Sequence, residues 1–408
     1  MNLTPVPTPK QEKFQSWEFG VFFHFGIRTF YEGHRDWDGL PMPAEAFNPT
    51  DLDCRQWASV ARQAGAKYAI LVTKHHDGFA NWPTKYSDYS VARTPWKGGR
   101  GDVVREFTEA CRAEGLGVGL YYSPAQQGFR NWSPREYDDY FVNQITELLT
   151  NYGKIDYLWF DACGSGDHQY DTRRIVNVIR SLQPEILLFN MWDPDTRWVG
   201  NESGVAGIGN RSYVRARDIV LGGDARETQE LYLPVECDCC MRGQTWFYSD
   251  RNEDQLKTPE ELFGLYCTSV GNSANLFINI GPDRRGLLPE KDAALLLGLG
   301  REVRRRFVEG AIPARWSVSE GAYVCTPEGA QTVGGVILEE NLEAGEKISA
   351  FTLELHTNDG VGPIPVYRGL GVGHKRICRF PPLRATQIRV RLEEAEPGAA
   401  LKNITLFK

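Results

Sequence analysis

Residues 53–73 read DCRQWASVARQAGAKYAILVT. Trp57, Val60, Ala61 and Ala64 recur at helical spacing, and Gly65 stands where a helix stops. The run KYAILVT that follows is apolar and rich in strand formers. The same couplet returns further along the chain. Asp102 caps a helix carrying Val104, Phe107 and Cys111, Gly115 ends it, and LGVGLYYS follows. YFVNQITELLTNYG leads into IDYLWFDA, and TRRIVNVIRSLQ into EILLFN. Strands that are apolar throughout are buried on both faces, which means a parallel sheet covered by helices. GVFFHFG, LYLPVE and ANLFINI add further strands.

A (β/α)8 barrel and an open doubly wound sheet both fit this alternation. Polar residues favour the barrel. His24, His75, His76, Tyr122, Asp161, Asn190 and Glu236 fall at the C-terminal ends of several different strands. A barrel gathers those ends around one mouth. The expectation is an α/β chain built on a TIM barrel over residues 1–310, with an irregular strand somewhere in 200–220. Beyond GAIPARW the character changes to short alternating strands, such as TQIRVRL with Ile388, Val390 and Leu392 on one face. That predicts a β-sandwich over residues 311–408, whose default role is to support the barrel.

Composition narrows the partners. Lys and Arg number 46 and Asp and Glu 53, a net charge of −7 over 408 residues. A basic footprint for nucleic acid or an anionic membrane is missing. No apolar run is long enough to cross a bilayer. The opening residues have no apolar stretch after Lys10, so a cytoplasmic location is expected. Nine cysteines lack framework spacing and read as free thiols. Cys237, Cys239 and Cys240 make a weak metal motif without a second cluster.

Two acidic stretches carry the chemistry. Asp161 ends LWFDACG, directly after an apolar strand. Glu236 in LPVECDCC does the same, with Asp238 two residues on and on the same side of an extended chain. Two carboxyls across a barrel mouth suit glycoside hydrolysis. The alternative for each is a capping or salt-bridge role. His24, His75 and His76 lack metal-ligand spacing and suit sugar hydroxyls, since imidazole both donates and accepts. Phosphate-loop, dinucleotide and nucleophile-elbow motifs are missing.

FGVFFHFGI, DWDG, KHHDGFANW, YLWFDACG, RWVGNE, PVECD with WFY, and NLFINIGPDRRGLLP occur in order between residues 17 and 310. Together they resemble the α-L-fucosidases of glycoside hydrolase family 29. The resemblance implies a retaining exo-enzyme acting on a fucosylated oligosaccharide through a fucosyl-enzyme intermediate, with no cofactor and no metal. It puts the nucleophile on Asp161. PVECD with WFY resembles the subgroup acting on α-1,3 and α-1,4 branches, and puts the acid/base on Glu236, with Asp238 next in line. His24, His75, His76, Trp159 and Arg197 match fucose-holding positions. Tyr121 or Tyr122 joins them, with Tyr122 favoured. Asp36-Trp37 stands where related enzymes often have Glu-Trp. Arg197 is expected to keep Asp161 charged, and Trp159 with Phe79 to meet the C6 methyl. Rival readings are a transfucosidase, a non-catalytic carbohydrate-binding barrel, and a metallohydrolase using His24, His75, His76 and Asp161.

Overall fold

The computed structural model describes residues 5–32, 41–125, 132–166, 168–215, 230–357 and 362–408. Ten strands precede the sandwich. They are β1 (Phe19–Phe23), β2 (Tyr68–Lys74), β3 (Gly117–Tyr122), β4 (Tyr157–Phe160), β5 (Leu187–Phe189), β6 (Arg197–Trp198), β7 (Tyr213–Arg215), β8 (Glu230–Tyr232), β9 (Val235–Cys240) and β10 (Ala274–Asn279). Eight of them form one parallel sheet in the order β5-β4-β3-β2-β1-β10-β9-β6. A parallel bridge between Phe189 and Thr196 joins its two ends. The ring is therefore closed, and no edge is left exposed.

The helices are α1 (Pro9–Trp17), α2 (Cys54–Gln63), α3 (Val103–Ala113), α4 (Pro134–Asn151), α5 (Thr172–Leu182), α6 (Pro259–Ser269) and α7 (Glu290–Val303). Capping sets where they start. Asp53 Oδ1 accepts from the backbone of Arg55 and Gln56, and Asp102 Oδ1 from Arg105. Gly65 and Gly115, at φ 94° and 70°, end α2 and α3 in the left-handed region, which glycine adopts without steric cost. The buried faces of α2 and α3 carry the periodic residues Trp57, Ala61, Val104, Phe107 and Cys111.

The barrel is irregular between β5 and β9. No helix separates β5 from β6, and the described residues between β6 and β9 carry the antiparallel ribbon β7–β8. The strand nearest the one expected at 200–220 is the short β6 at Arg197–Trp198, and the described residues of that region contribute β7 to the ribbon. LYLPVE is not one strand. It breaks at Leu233–Pro234, where proline cannot donate to a ladder. The barrel strand is Val235–Cys240, so Glu236 is its second residue rather than the residue after its end.

Aromatic side chains fill the barrel. Phe22, Tyr68, Tyr121, Tyr157, Trp159, Phe189 and Phe277 form one buried cluster. Phe14 and Trp17 of α1 close the N-terminal end, Trp17 stacking on Tyr68 at 5.0 Å and Phe14 packing against Tyr157 at 5.4 Å. Rings of this size need room, and inward glycines give it. A Cβ on Gly20 would stand 2.5 Å from the Tyr68 ring, and one on Gly119 would stand 2.4 Å from Ile70.

From Ala311 onward the chain is antiparallel. One sheet has the order Ala311–Ile312, Leu401–Phe407, Gln331–Glu340, Arg376–Ala385. The other has the order Ala314–Ser319, Ala322–Pro327, Gln387–Ala395, Ile348–His356, Ile364–Leu370. Their inner faces share a separate core that includes Val336, Leu338, Phe351, Leu353, Ile388 and Val390. The sandwich fastens to the barrel through polar contacts. Arg376 bonds Asn272, Lys375 pairs with Glu18, and Glu346 accepts the Ser212 N–H at 3.0 Å.

Gly20→Ala should cost about 1–3 kcal/mol of stability through overpacking against Tyr68. Gly207→Ala, where a Cβ meets nothing within 4 Å, is the control. Urea unfolding that finds the two variants equally stable would refute this account of the barrel interior.

Candidate active site

The strand ends converge on one cavity of about 670 Å³. His24 follows β1, His75 and His76 follow β2, Tyr121 lies near the end of β3, and Asp161 follows β4. Trp198 ends β6, Glu202 lies just beyond it, Asp238 is within β9, and Trp246 lies beyond β9. All of these side chains line the cavity, as do Phe22, Trp159 and Phe189.

Asp161 is the most engaged carboxylate there. Tyr121 Oη donates to its Oδ2 at 2.8 Å, and the Cys163 N–H donates to its Oδ1 at 2.8 Å. His76 Nε2 lies 3.6 Å from Oδ2. The side chain keeps 25% exposure, toward the cavity. Donors on both oxygens fix its aim.

Burial disfavours the charged forms of His24 and His75. Burial pulls His24 down to about 3, despite its bond to Asn279. Burial and the neighbouring His76 and His24 also pull His75 far below the usual imidazole range. His24 Nδ1 meets Asn279 Oδ1 at 2.8 Å, and Asn279 Nδ2 donates to the Trp246 carbonyl at 2.7 Å. That second bond orients the amide, so His24 donates through Nδ1 and keeps Nε2 as an acceptor. His75 stacks on Tyr121 at 5.5 Å, and its buried Nδ1 has no hydrogen-bond partner among the described residues.

Two more carboxyls share the cavity. Asp238 is buried, and Trp198 Nε1 donates to its Oδ1 at 2.6 Å. Burial pushes its carboxyl up to about 7, with the charges of Glu202 and Asp161 adding to the shift. Glu202 is exposed on the cavity wall.

Several sequence expectations need correction. Glu236 does not line the cavity. It is 1% exposed inside the barrel, where Tyr68 Oη and Trp159 Nε1 take its two oxygens at 2.7 and 2.8 Å. The misplaced strand end is the cause, since two residues of strand separate Glu236 from the level of Asp238. Tyr122 faces the helices. Its hydroxyl donates to Gln144 Oε1 of α4 at 2.7 Å, and Tyr121 takes the inward position. Arg197 turns away from the cavity to the Arg211 carbonyl at 2.7 Å and Asn210 at 3.2 Å. Phe79 packs on Phe47 at 5.1 Å, in the layer outside the barrel. Asp36 and Trp37 lie outside the described residues. His24, His75, His76, Trp159 and Asp161 do meet at the cavity.

Sequence reasoning missed Glu202, Trp198 and Trp246. RWVGNE and WFY were visible as stretches, but the strand before Glu202 has only two residues and gives no apolar signal. Among the described residues, only His75, His76 and Asp161 offer three metal-ligand atoms close together, within 4.8 Å. Tyr121 and Cys163 already bond both Asp161 oxygens, which suits a carboxylate reserved for an organic substrate. Among the described residues no cysteine pairs in a disulfide.

The cavity offers neutral donors and acceptors on one side, indole and phenyl rings on another, and carboxyls between them. That is a site for a polyhydroxylated ring with an apolar face. Comparison with known proteins agrees. The family model for alpha-L-fucosidase matches residues 4–305. Alpha-L-fucosidase 1 of Arabidopsis thaliana is 31% identical over 423 residues, covering 93% of this chain and 82% of its own. The alpha-L-fucosidase of Branchiostoma floridae is 30% identical over 325 residues, covering 68% of this chain and 67% of its own. The crystal structure of a glycoside hydrolase 29 family member from a rumen bacterium superposes with a TM-score of 0.90. It is 30% identical, and the match covers 100% of this chain and 78% of that one. The chain belongs to the α-L-fucosidase family, glycoside hydrolase family 29, and is a glycoside hydrolase.

Proposed function

We propose that the chain releases terminal α-L-fucose from oligosaccharides with retention of configuration, using Asp161 as nucleophile and Glu202 as acid/base. The observation that carries this reading is Asp161 itself, held through both oxygens at the end of β4 and open to the cavity. His24 Nε2, left as an acceptor, is available to a ring hydroxyl. Trp159 and Trp246 offer the apolar surface that the C6 methyl and ring C–H groups seek.

The choice of acid follows from depth. An exo-acting site takes the sugar first, so the scissile oxygen faces the mouth. The proton donor must stand there too, and water must later enter on the same side. Glu202 is exposed on the wall, whereas Asp238 is buried with one oxygen held by Trp198. Glu202 lies in the loop after β6, two strands round the barrel from Asp161.

In the first step an Asp161 oxygen bonds to C1 while the C1–O bond to the leaving sugar breaks. Glu202 gives that oxygen its proton. In the second, water attacks C1, its proton passes to Glu202, and the Asp161 ester bond breaks. The resemblance of PVECD and WFY to the α-1,3/1,4 subgroup supports that linkage preference. Those stretches put Asp238 and Trp246 on the cavity wall.

Asp161→Ala should reduce turnover at least about 10³-fold. Azide should restore part of it on an aryl fucoside, giving the inverted fucosyl azide; a retained product would sink the mechanism. Glu202→Ala should lose about 10²–10⁴-fold on oligosaccharides and far less on fucosides with good leaving groups. If Asp238→Ala shows that pattern instead, the donor is Asp238. Tyr121→Phe should lower kcat/KM about tenfold or more by removing a donor from Asp161. Tyr122→Phe should leave kcat/KM unchanged and cost stability alone, a contrast that steady-state kinetics and melting curves will test. Product analysis on Lewis-type, 2′-linked and 1,6-linked fucosides checks the linkage, and preferential release from the last two would overturn that assignment.

A further inference from the structure

One carboxyl inside the barrel takes no part in this chemistry. Glu236 reaches from β9 across the interior and meets Trp159 of β4 below the cavity. Its Oε1 accepts the Trp159 Nε1–H at 2.8 Å, and its Oε2 pairs with Tyr68 Oη at 2.7 Å.

Trp159 is held otherwise by apolar ring contacts, including Phe22 tilted against it at 5.7 Å. Phe189 covers one face at 4.0 Å and Tyr121 the other at 5.4 Å, with interplanar angles of 12° and 24°. Stacking fixes the plane of an indole but tolerates sliding and a flip within that plane. Nε1 is the ring's only polar atom, so the group that binds it decides which edge faces the cavity. We propose that Glu236 is a positioning residue, which sets through Trp159 Nε1 the indole edge presented to the sugar and so governs how tightly the sugar is held. This inference rests on the fucosidase reading for the identity of that sugar.

The surroundings explain how an acid can do this. Burial pushes the Glu236 carboxyl up to about 8, with Asp238 adding to the rise, so near neutrality it keeps its proton. A neutral carboxyl offers one oxygen to the indole N–H and the other to the Tyr68 hydroxyl. Glutamine keeps a carbonyl acceptor for the indole and a polar partner for Tyr68. Leucine offers neither, and would leave the indole N–H and the Tyr68 hydroxyl unpaired in a dry interior.

The test compares Glu236→Gln and Glu236→Leu, each in the native and the Trp159→Phe background. Substrates are an aryl fucoside with a good leaving group and a fucosylated oligosaccharide. In the native background Glu236→Leu should raise KM about tenfold for both substrates and change kcat less than about threefold. Glu236→Gln should stay within about threefold of the native enzyme on both constants. In the Trp159→Phe background Glu236→Leu should add less than about twofold in KM, because its effect runs through the indole N–H.

An equal KM change in both backgrounds overturns the inference. So does a Glu236→Gln variant that loses kcat on the oligosaccharide and keeps it on the aryl fucoside, which would make Glu236 the proton donor. Should Glu236→Leu fail to fold, hydrogen exchange at Nε1 of Trp159 in 15N-tryptophan-labelled protein decides. Protection kept in Glu236→Gln supports the bond, and protection lost in it refutes the bond. A native enzyme that cleaves no fucoside defeats the functional reading instead, and the exchange measurement still reports on Glu236.

Discussion

Desolvation by the aromatic barrel interior sorts the charges of this site. Rings from several strands pack below the cavity, and each ionisable group answers according to its depth. Glu236, between the indole and Tyr68, is pushed up to about 8. Asp238, one inward position nearer the mouth on the same strand, is pushed up to about 7. His24 and His75 are held neutral. Asp161 stands at the end of β4 with partial exposure and a donor on each oxygen. Burial thus disfavours the charged forms of Glu236, Asp238, His24 and His75 together.

The same dependence on burial explains what the sequence could reveal. The apolar strands, the caps at Asp53 and Asp102 and the stop at Gly65 are local signals, and each stands where its spacing puts it. The ends of β1, β2 and β4 were legible because His24, His75 and Asp161 interrupt apolar runs. What a run of letters does not show is the phase of the pleat. Tyr121 and Tyr122 are adjacent and chemically alike, and only the pairing of Tyr121 with Trp159 settles which one faces inward. A strand boundary shifted by Pro234 moved Glu236 from the expected mouth to the interior. Each error is a register error, and each changes a side chain's solvent and therefore its chemistry.

The irregular side of the barrel shows how the second set of sheets bears on the site. β6 has only two residues, paired with Val235 and Glu236 of β9. Two residues cannot hold a strand by ladder bonds alone, so its side chains must anchor it. Trp198 turns inward and bonds Asp238, and Arg197 turns outward to Asn210 and the Arg211 carbonyl. Arg211 in turn reaches the Ile348 carbonyl of the sandwich at 3.4 Å, and Glu346 of the sandwich accepts the Ser212 N–H. Arg197 therefore belongs to the seam between barrel and sandwich, close to the negative charge of Glu346.

That seam lies between β6 and β9, where the sandwich gives anchorage through polar contacts. It acts on the cavity wall carrying Trp198, Glu202 and Asp238, part of which is the two-residue β6. The opposite wall, with His24, His75 and Tyr121, rests on β1, β2 and β3, which α2 and α3 brace from outside. The two walls have different foundations. The wall carrying His24, His75 and Tyr121 is braced by the barrel's own helices. The wall carrying Trp198, Glu202 and Asp238 is fastened to a separate set of sheets.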